Sequence, residues 1–322
     1  MEHDVLVAGE TLIDFLPHQT GPLEDVATFE RRPGGAPANV AVSLTRLERP
    51  PLFWTRVGDD PFGRYLERSL VECGLSDRWI ERDEDAKTTL AFVSHDEIGD
   101  REFSFYRHDT ADTRLEPGRI DDGTLAACEW VHAGGVTLSS GSSRTAILEL
   151  LERAAAAGCT VSFDPNLRPE LWPDEAAFPN VVGDALAHVD ICLATVAELE
   201  ALGFTGGSPK AIARAVLDRG SIHTVFVTQG SDGAVAVAGD EAPWPATVVE
   251  HSGFEVETID TTGAGDAFVA GVIDALRDGT NLTETVAFAN AVAAMSTTAS
   301  GAMTALPTRD AVTALLEESR SK

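Results

Sequence analysis

The sequence predicts an α/β fold: a parallel sheet flanked by helices, with a small separate sheet beside it. Three observations carry that expectation. Beyond Ile120, short apolar runs alternate with longer helical stretches, the pattern of successive strand–helix–strand units. Between Lys87 and Arg107 the texture changes to two neighbouring strand-like runs joined by turn formers. The 322 residues are 43% hydrophobic and 24% charged, a globular composition on a chain long enough to bury a core without disulfide or metal support.

The elements follow in order. Val5 to Ala8 reads as a buried strand, and Thr11 to Leu16 and Ala27 to Arg32 as two more. A loop is expected over Arg32 to Pro37, then a helix over Ala38 to Leu47 on the spacing of Val40, Ala41, Leu44 and Leu47. Leu52 to Val57 is a strand closed by Gly58-Asp59-Asp60. Thr88 to Val93 and Arg101 to Arg107 form a hairpin around Asp96-Glu97-Ile98-Gly99-Asp100, with Phe103 and Phe105 alternating with polar neighbours. Strands at 130–133, 161–164, 191–193 and 225–227 alternate with helical stretches at 142–157, up to 187, at 196–202 and at 209–219. Ala264 to Leu276 and Leu282 to Thr298 close the chain as helices. No repeat and no Pro/Gly/Ser linker divides the sequence, so a second unit would be an insertion.

Charge narrows the function. Against 24 Lys plus Arg stand 52 Asp plus Glu, a formal net charge of −28. Such a surface repels nucleic-acid phosphates and anionic lipids. No apolar run reaches the ~18 residues that a membrane span needs. The acidic start Met1-Glu2-His3-Asp4 lacks the basic region of a secretory signal, so a cytoplasmic protein is expected. Only Lys87, Lys210 and Lys322 are lysines, a balance that resembles proteins of salt-loving organisms. Cys73, Cys128, Cys159 and Cys192 are widely spaced and read as free thiols of a reducing compartment rather than a zinc site. His132 and His108 have no Ser or Cys nucleophile motif beside them and read as a buried strand histidine and a surface histidine.

Three motifs carry chemistry. In Asp260-Thr261-Thr262-Gly263-Ala264-Gly265-Asp266-Ala267-Phe268, small residues bend the backbone and a helix start aims its free N–H groups at the loop. A carboxylate there repels the anion it sits beside, which makes sense for a proton acceptor working next to a phosphate. Alone, a GxGD would read as an Asp complementing the helix dipole. Gly34-Gly35-Ala36-Pro37-Ala38-Asn39 lets backbone approach a ligand and places Asn39 on a first helical turn. Asp164-Pro165-Asn166-Leu167-Arg168 lies at the end of a strand, where open α/β sheets bind ligands, and Arg168 suits phosphate or oxyanion.

Gly34 to Ala41 and Asp260 to Phe268 together resemble the two signatures of the ribokinase-like (PfkB) sugar kinases. Gly58-Asp59-Asp60-Pro61-Phe62-Gly63 and Thr228-Gln229-Gly230 with Gly233 look like further segments of that family, and the likeness runs from Val5 to about Leu306. The resemblance implies a single ribokinase-like domain over 1–322, doubly wound and mostly parallel, with a small β-sheet lid inserted from about 11–33 and 86–110. It implies ATP and Mg2+, with K+ as a further candidate. Asp266 becomes the catalytic base, and the N–H groups of Gly263, Ala264 and Gly265 stabilise the transferring phosphoryl group. Asp14, Gly34, Gly35 and Asn39 match sugar-binding positions, and Tyr106, Arg107 and Arg168 are further substrate candidates. Thr228, Gly230, Gly233, Asn290 and Glu198 match the nucleotide site. Asp260, Thr262, Ser296, Ala299 and Gly301 fall at a monovalent-cation site. In many members the lid pairs two subunits, so a homodimer is expected.

One departure stands out: the family's usual Asn-x-x-Glu is Thr195-Val196-Ala197-Glu198 here. Gly9-Glu10-Thr11-Leu12-Ile13-Asp14-Phe15 and the 101–107 segment followed by Ala111-Asp112 resemble fructokinases. Fructose is therefore the first-ranked acceptor. Tyr106-Arg107 and Arg168 also resemble 2-keto-3-deoxygluconate kinases, where they would meet a carboxylate, and ribose ranks third. A nucleoside kinase and a non-catalytic sugar- or nucleotide-binding regulator are the remaining readings.

Overall fold

The computed structural model describes residues 3–95 and 101–320. The turn expected at Asp96 to Asp100 lies outside the described residues. The first half of the chain contains β1 (Val5–Ala8), β2 (Leu12–Pro17), β3 (Phe29–Gly34), α1 (Ala36–Arg46), β4 (Leu52–Gly58), α2 (Pro61–Glu72), β5 (Ile80–Asp83), β6 (Leu90–His95), β7 (Arg101–Tyr106), α3 (Asp122–Ala127), β8 (Trp130–Gly134) and α4 (Ser143–Ala157). The second half contains β9 (Thr160–Asp164), α5 (Ala177–Leu186), β10 (Ile191–Thr195), α6 (Val196–Ala201), α7 (Pro209–Leu217), β11 (Thr224–Thr228), β12 (Ala234–Ala238), β13 (Thr247–His251), α8 (Ala264–Arg277), α9 (Leu282–Ser296) and α10 (Arg309–Arg320).

Nine strands form one sheet in the order β13-β12-β11-β10-β9-β8-β1-β4-β5. It is parallel from β11 to β5, and β12 and β13 add an antiparallel edge. Strand alternation feeds two cores. Val5, Val7, Ile191 and Leu193 pack with α1, α8 and α9, whereas Leu6, Ala8, Cys192 and Ala194 pack with α4, α5 and α7. From β1 the chain first builds β4 and β5 on one side, then crosses to β8 on the other. The carboxyl ends of β1 and β8 therefore flank a topological switch point, where such sheets bind ligands.

The elements that the sequence did not reveal have local causes. β12 reads Ala-Val-Ala-Val-Ala, and alanine has little strand preference even though this run is fully buried. β5 and β13 sit at the sheet edges, where charged and exposed residues dilute the apolar signal. The expected loop over 32–37 contracts to Gly35, because β3 runs to Gly34 and α1 starts at Ala36 with Pro37 in its first turn. Gly35 has φ +107, and a Cβ there would lie 2.5 Å from the Glu10 carbonyl, so glycine is needed for this one-residue turn.

The small sheet has the order β3-β2-β6-β7. Directly paired residues share a face. Phe15 with Phe92, and Leu90 with Tyr106, lie on one face; Asp14 with Arg32, Ala91 with Phe105, and Val93 with Phe103 lie on the other. The first face carries an aromatic cluster in which Phe92 stacks on Phe15 at 4.7 Å and meets Phe29 and Tyr106, each at 5.4 Å. The second face turns toward the large sheet.

One polar anchor, Asp60, ties this sheet down. Asp60 caps α2 through Phe62 and Gly63 N–H and accepts both the N–H and the hydroxyl of Thr88, just before β6. A Cβ at Gly63 would lie 1.9 Å from the Gly58 carbonyl, which explains the glycines of the Gly58-to-Gly63 motif.

Candidate active site

The carboxyl ends of β9, β10 and β11 and the N-terminus of α8 border a cavity of about 290 Å³. Asp164, Thr195 and Thr228 enter it from the strands, and Gly263, Gly265 and Asp266 from the helix. Gly263 turns into α8 at φ +78, and a Cβ there would press on Ala302 at 3.0 Å. At Gly265 a Cβ would meet no protein atom, so the space beside that backbone is left to the cavity. The Ala264 N–H makes a long bond, 3.3 Å, to the Thr261 carbonyl.

Asp266 lies in the first turn of α8 and is 8% exposed. Asn39, in the first turn of α1, donates from Nδ2 to Asp266 Oδ2 at 2.7 Å. Burial pushes the Asp266 pKa up to about 7 against the pull of Asn39 and Arg168, with the charges of Glu10 and Glu198 adding to the rise. Asp266 therefore changes protonation near neutral pH, as a general base requires.

Arg168 borders the same cavity, with its guanidinium 5.6 Å from the Phe103 ring centroid. Asp164, also on this cavity, is raised well above the ordinary carboxyl range by burial and then by Glu198 and Asp266. Glu198 is held firmly: Oε1 accepts from Leu167 N at 3.0 Å, and Oε2 from Thr195 N and Oγ1 at 2.8 Å each. Thr195 in turn caps α6 through the Glu198 N–H at 3.2 Å, a complete capping box. Thr195 thus has a defined role where the usual Asn would stand.

Other expected residues divide. Gly34 lies against Asp14, where a Cβ would fall 2.0 Å from Oδ2. Tyr106 lies on the aromatic face against Phe92, 63% exposed, opposite the face that carries Asp14, and borders the same cavity as Arg107. Arg107 is buried and bonded to Asp112 and Ser139. Arg107 borders a cavity of about 910 Å³, and Arg168 borders the 290 Å³ cavity; Phe103 lines both.

Among the nucleotide candidates, Thr228 and Glu198 border the 290 Å³ cavity; Gly230, Gly233 and Asn290 do not. A Cβ at Gly233 would fall 1.9 Å from the His251 carbonyl, so backbone packing already demands glycine. Asn290 is buried on α9 and donates to the Val286 carbonyl of its own helix. Of the cation candidates, Asp260 Oδ1 accepts from the Thr262 hydroxyl at 2.6 Å and Oδ2 from Gly301 N at 2.9 Å. Ser296 is turned into α9 on the Ala293 carbonyl, and Ala299 is exposed. Arg32, on the inner face of the small sheet, reaches the Ser300 carbonyl at 3.1 Å.

The sequence reading gave no role to Glu10 or Asp112, which it named only within fructokinase-like segments, and did not mark Thr137. Glu10 is buried at the switch point, taking Ala36 N at 3.2 Å on Oε1 and the Thr137 hydroxyl at 2.9 Å on Oε2. Single carboxylates reveal burial only once the strands are assembled. His132 is enclosed, bonded to Ser162 Oγ, and pushed down to about 3 by burial, whereas His108 is exposed. No group of three or more described His, Cys, Asp or Glu side chains forms a metal centre. No described helix is long and apolar enough to cross a membrane.

The sequence pattern of the pfkB family carbohydrate kinases matches residues 2–309. A fructokinase of Vibrio alginolyticus is 36% identical over 314 residues, covering 95% of this chain and 97% of that protein. The structure of a fructokinase from Xylella fastidiosa with bound ATP superposes with TM-score 0.86 at 31% identity, over 99% of this chain and 100% of that one. A double-mutant fructokinase from Vibrio cholerae O395, bound to fructose, ADP and potassium, superposes with TM-score 0.82 at 32% identity over 97% of each chain. Through signatures, topology and full-length likeness alike, the chain belongs to the pfkB family of carbohydrate kinases and has the ribokinase-like α/β fold.

Proposed function

We propose that this protein transfers the γ-phosphoryl group of ATP to a primary hydroxyl of fructose. The observation that carries the reading is Asp266: a carboxyl with pKa near 7 at a helix N-terminus, bordering a cavity and bonded to Asn39. The fructokinase likenesses support the choice of sugar. Asp266 takes the hydroxyl proton as the sugar oxygen attacks in line. The amides of Gly263, Ala264 and Gly265 and the α8 dipole face the charge on the moving group, with Arg168 beside them. Asp14, Gly34, Gly35, Asn39 and Arg107 hold the sugar, and Thr228 borders the nucleotide.

Hard oxygen donors suit magnesium, and Asp164 and Glu198 add negative charge to a cavity with Arg168 as its cation. Glu198 would hold the ion through water, and the ion would supply charge neutralisation to the phosphates. Asp260 with the 300–301 loop offers oxygen donors for a potassium ion.

The small sheet, from about 11–33 and 86–110 of a single 1–322 domain, acts as a lid that excludes water. Its half-buried aromatic face, with the exposed Tyr106 at the rim, fits a second copy of the chain. Four free cysteines suit a cytoplasmic protein, and a net charge of −28 with three lysines suits a salt-rich one. ATP-dependent formation of a fructose phosphate tests the reading. Turnover no greater with fructose than without sugar would overturn it.

A further inference from the structure

Arg107 lies just after β7 and is 6% exposed. Its Nε donates to Asp112 Oδ2 and its Nη1 to Ser139 Oγ, both at 2.6 Å. Its Nη2 is enclosed and has no hydrogen-bond partner among the described residues. Asn39 Oδ1, on the residue whose Nδ2 holds Asp266, is likewise enclosed and unpartnered. Buried polar atoms of native proteins are rarely left this way. Nη2 is a donor, so a ligand group that satisfies it is an acceptor, as a hydroxyl or a carboxylate oxygen is.

The charge around Arg107 limits which ligand that is. Asp112 forms an ion pair with it, the two side chains 1% and 3% exposed. Asp112 cannot swing away, because its Oδ1 also takes the hydroxyls of Thr110, at 2.8 Å, and Thr89. Glu10 also lies within electrostatic reach of this guanidinium, although burial raises its carboxyl above the ordinary range against the pull of Arg107. A ligand carboxylate on Nη2 would add an anion beside the Asp112 charge in a water-poor site, where like charges repel strongly. A neutral hydroxyl incurs no such repulsion.

We infer, on the sugar-kinase reading above, that Asp112 with Glu10 sets the acceptor class. They neutralise Arg107, so that its unpartnered Nη2 serves a hydroxyl of a neutral sugar and rejects the carboxylate of a sugar acid. Asp112 touches Arg107 and not the sugar, so it is a positioning residue.

The test compares kcat/KM for fructose and for 2-keto-3-deoxygluconate in the wild type, Asp112→Asn and Asp112→Glu. The wild type prefers fructose. Asp112→Asn shifts the ratio toward the acid by about tenfold or more, the size of one pKa unit of charge interaction. Asp112→Glu keeps the charge and stays near the wild-type ratio. A structural role alone would lower both activities and leave the ratio unmoved, and that result in folded Asp112→Asn overturns the inference. If Asp112→Asn does not fold, Glu10→Gln tests the same charge. A wild type that prefers the acid overturns the inference directly. A wild type that phosphorylates neither sugar overturns the proposed function instead. The inference is then decided by which sugar raises the thermal unfolding midpoint: fructose supports it, and the acid overturns it.

Discussion

The variant Asp266→Asn separates what this side chain does for chemistry from what it costs the fold. Asn keeps the shape and removes the charge. Asp266 has a pKa of about 7 in the folded protein, against an ordinary value of 3.8. The difference of about 3 units corresponds to about 4 kcal/mol once the group is fully ionised. The sign is set by proton binding. Between pH 3.8 and about 7 the folded state keeps a proton that the unfolded chain has lost, so stability falls as pH rises through that window and levels off above it. Asn carries no such burden. Its stability relative to the wild type should therefore grow from about 2 kcal/mol at pH 5 to about 4 kcal/mol at pH 8. Denaturant unfolding of both proteins at the two pH values measures this gap. A gap that is the same at pH 5 and pH 8 would refute the argument that a buried, ionising carboxyl sits here. Turnover of the variant should fall by about 10²–10⁴, the usual contribution of a general base.

Three further outcomes follow from particular contacts. Thr195→Ala removes the α6 cap at a cost of about 1 kcal/mol and frees Glu198, which should raise the KM for magnesium-ATP; Thr195→Asn keeps a capping side chain and should spare both. Asp60 is pushed up by burial, but hydrogen bonds from Thr88, Gly63 and Phe62 win and hold its carboxyl below the ordinary range. Its contribution is present above about pH 4 and is lost as pH falls through the lowered value. Asp60→Ala should therefore raise fructose-independent ATP hydrolysis by loosening the start of β6, with a stability loss that shrinks in acid. If the acidic surface is adapted to salt, the thermal midpoint rises between dilute buffer and molar potassium chloride; an unchanged midpoint would contradict that adaptation.

Much of the frame was legible in the sequence because buried parallel strands write continuous apolar runs. Val5–Ala8 and Ile191–Thr195 are such runs, and the helices between them carry clear periodicity. The order of strands was not legible, since pairing depends on which faces meet. The two signature strings marked Asp266, Asn39 and the glycines, because unusual backbone needs unusual residues. Glu10 and Asp112 stood inside the fructokinase-like segments with no role assigned; their importance comes from burial beside Arg107, which only the assembled sheets create. Tyr106 shows the reverse case. Adjacent to Arg107 in sequence, it lies on the aromatic face of the small sheet because a strand alternates its side chains.

The central claim is that this chain phosphorylates fructose with Asp266 as the base. The most direct measurement is ATP-dependent phosphorylation of fructose by the wild type and Asp266→Ala, in magnesium and molar potassium chloride, with 2-keto-3-deoxygluconate, ribose and adenosine as alternative acceptors. Strong preference for fructose is expected, with a severe loss of turnover in the variant and sugar affinity largely kept. Near-full activity of Asp266→Ala, or no preference for fructose in the wild type, would contradict it.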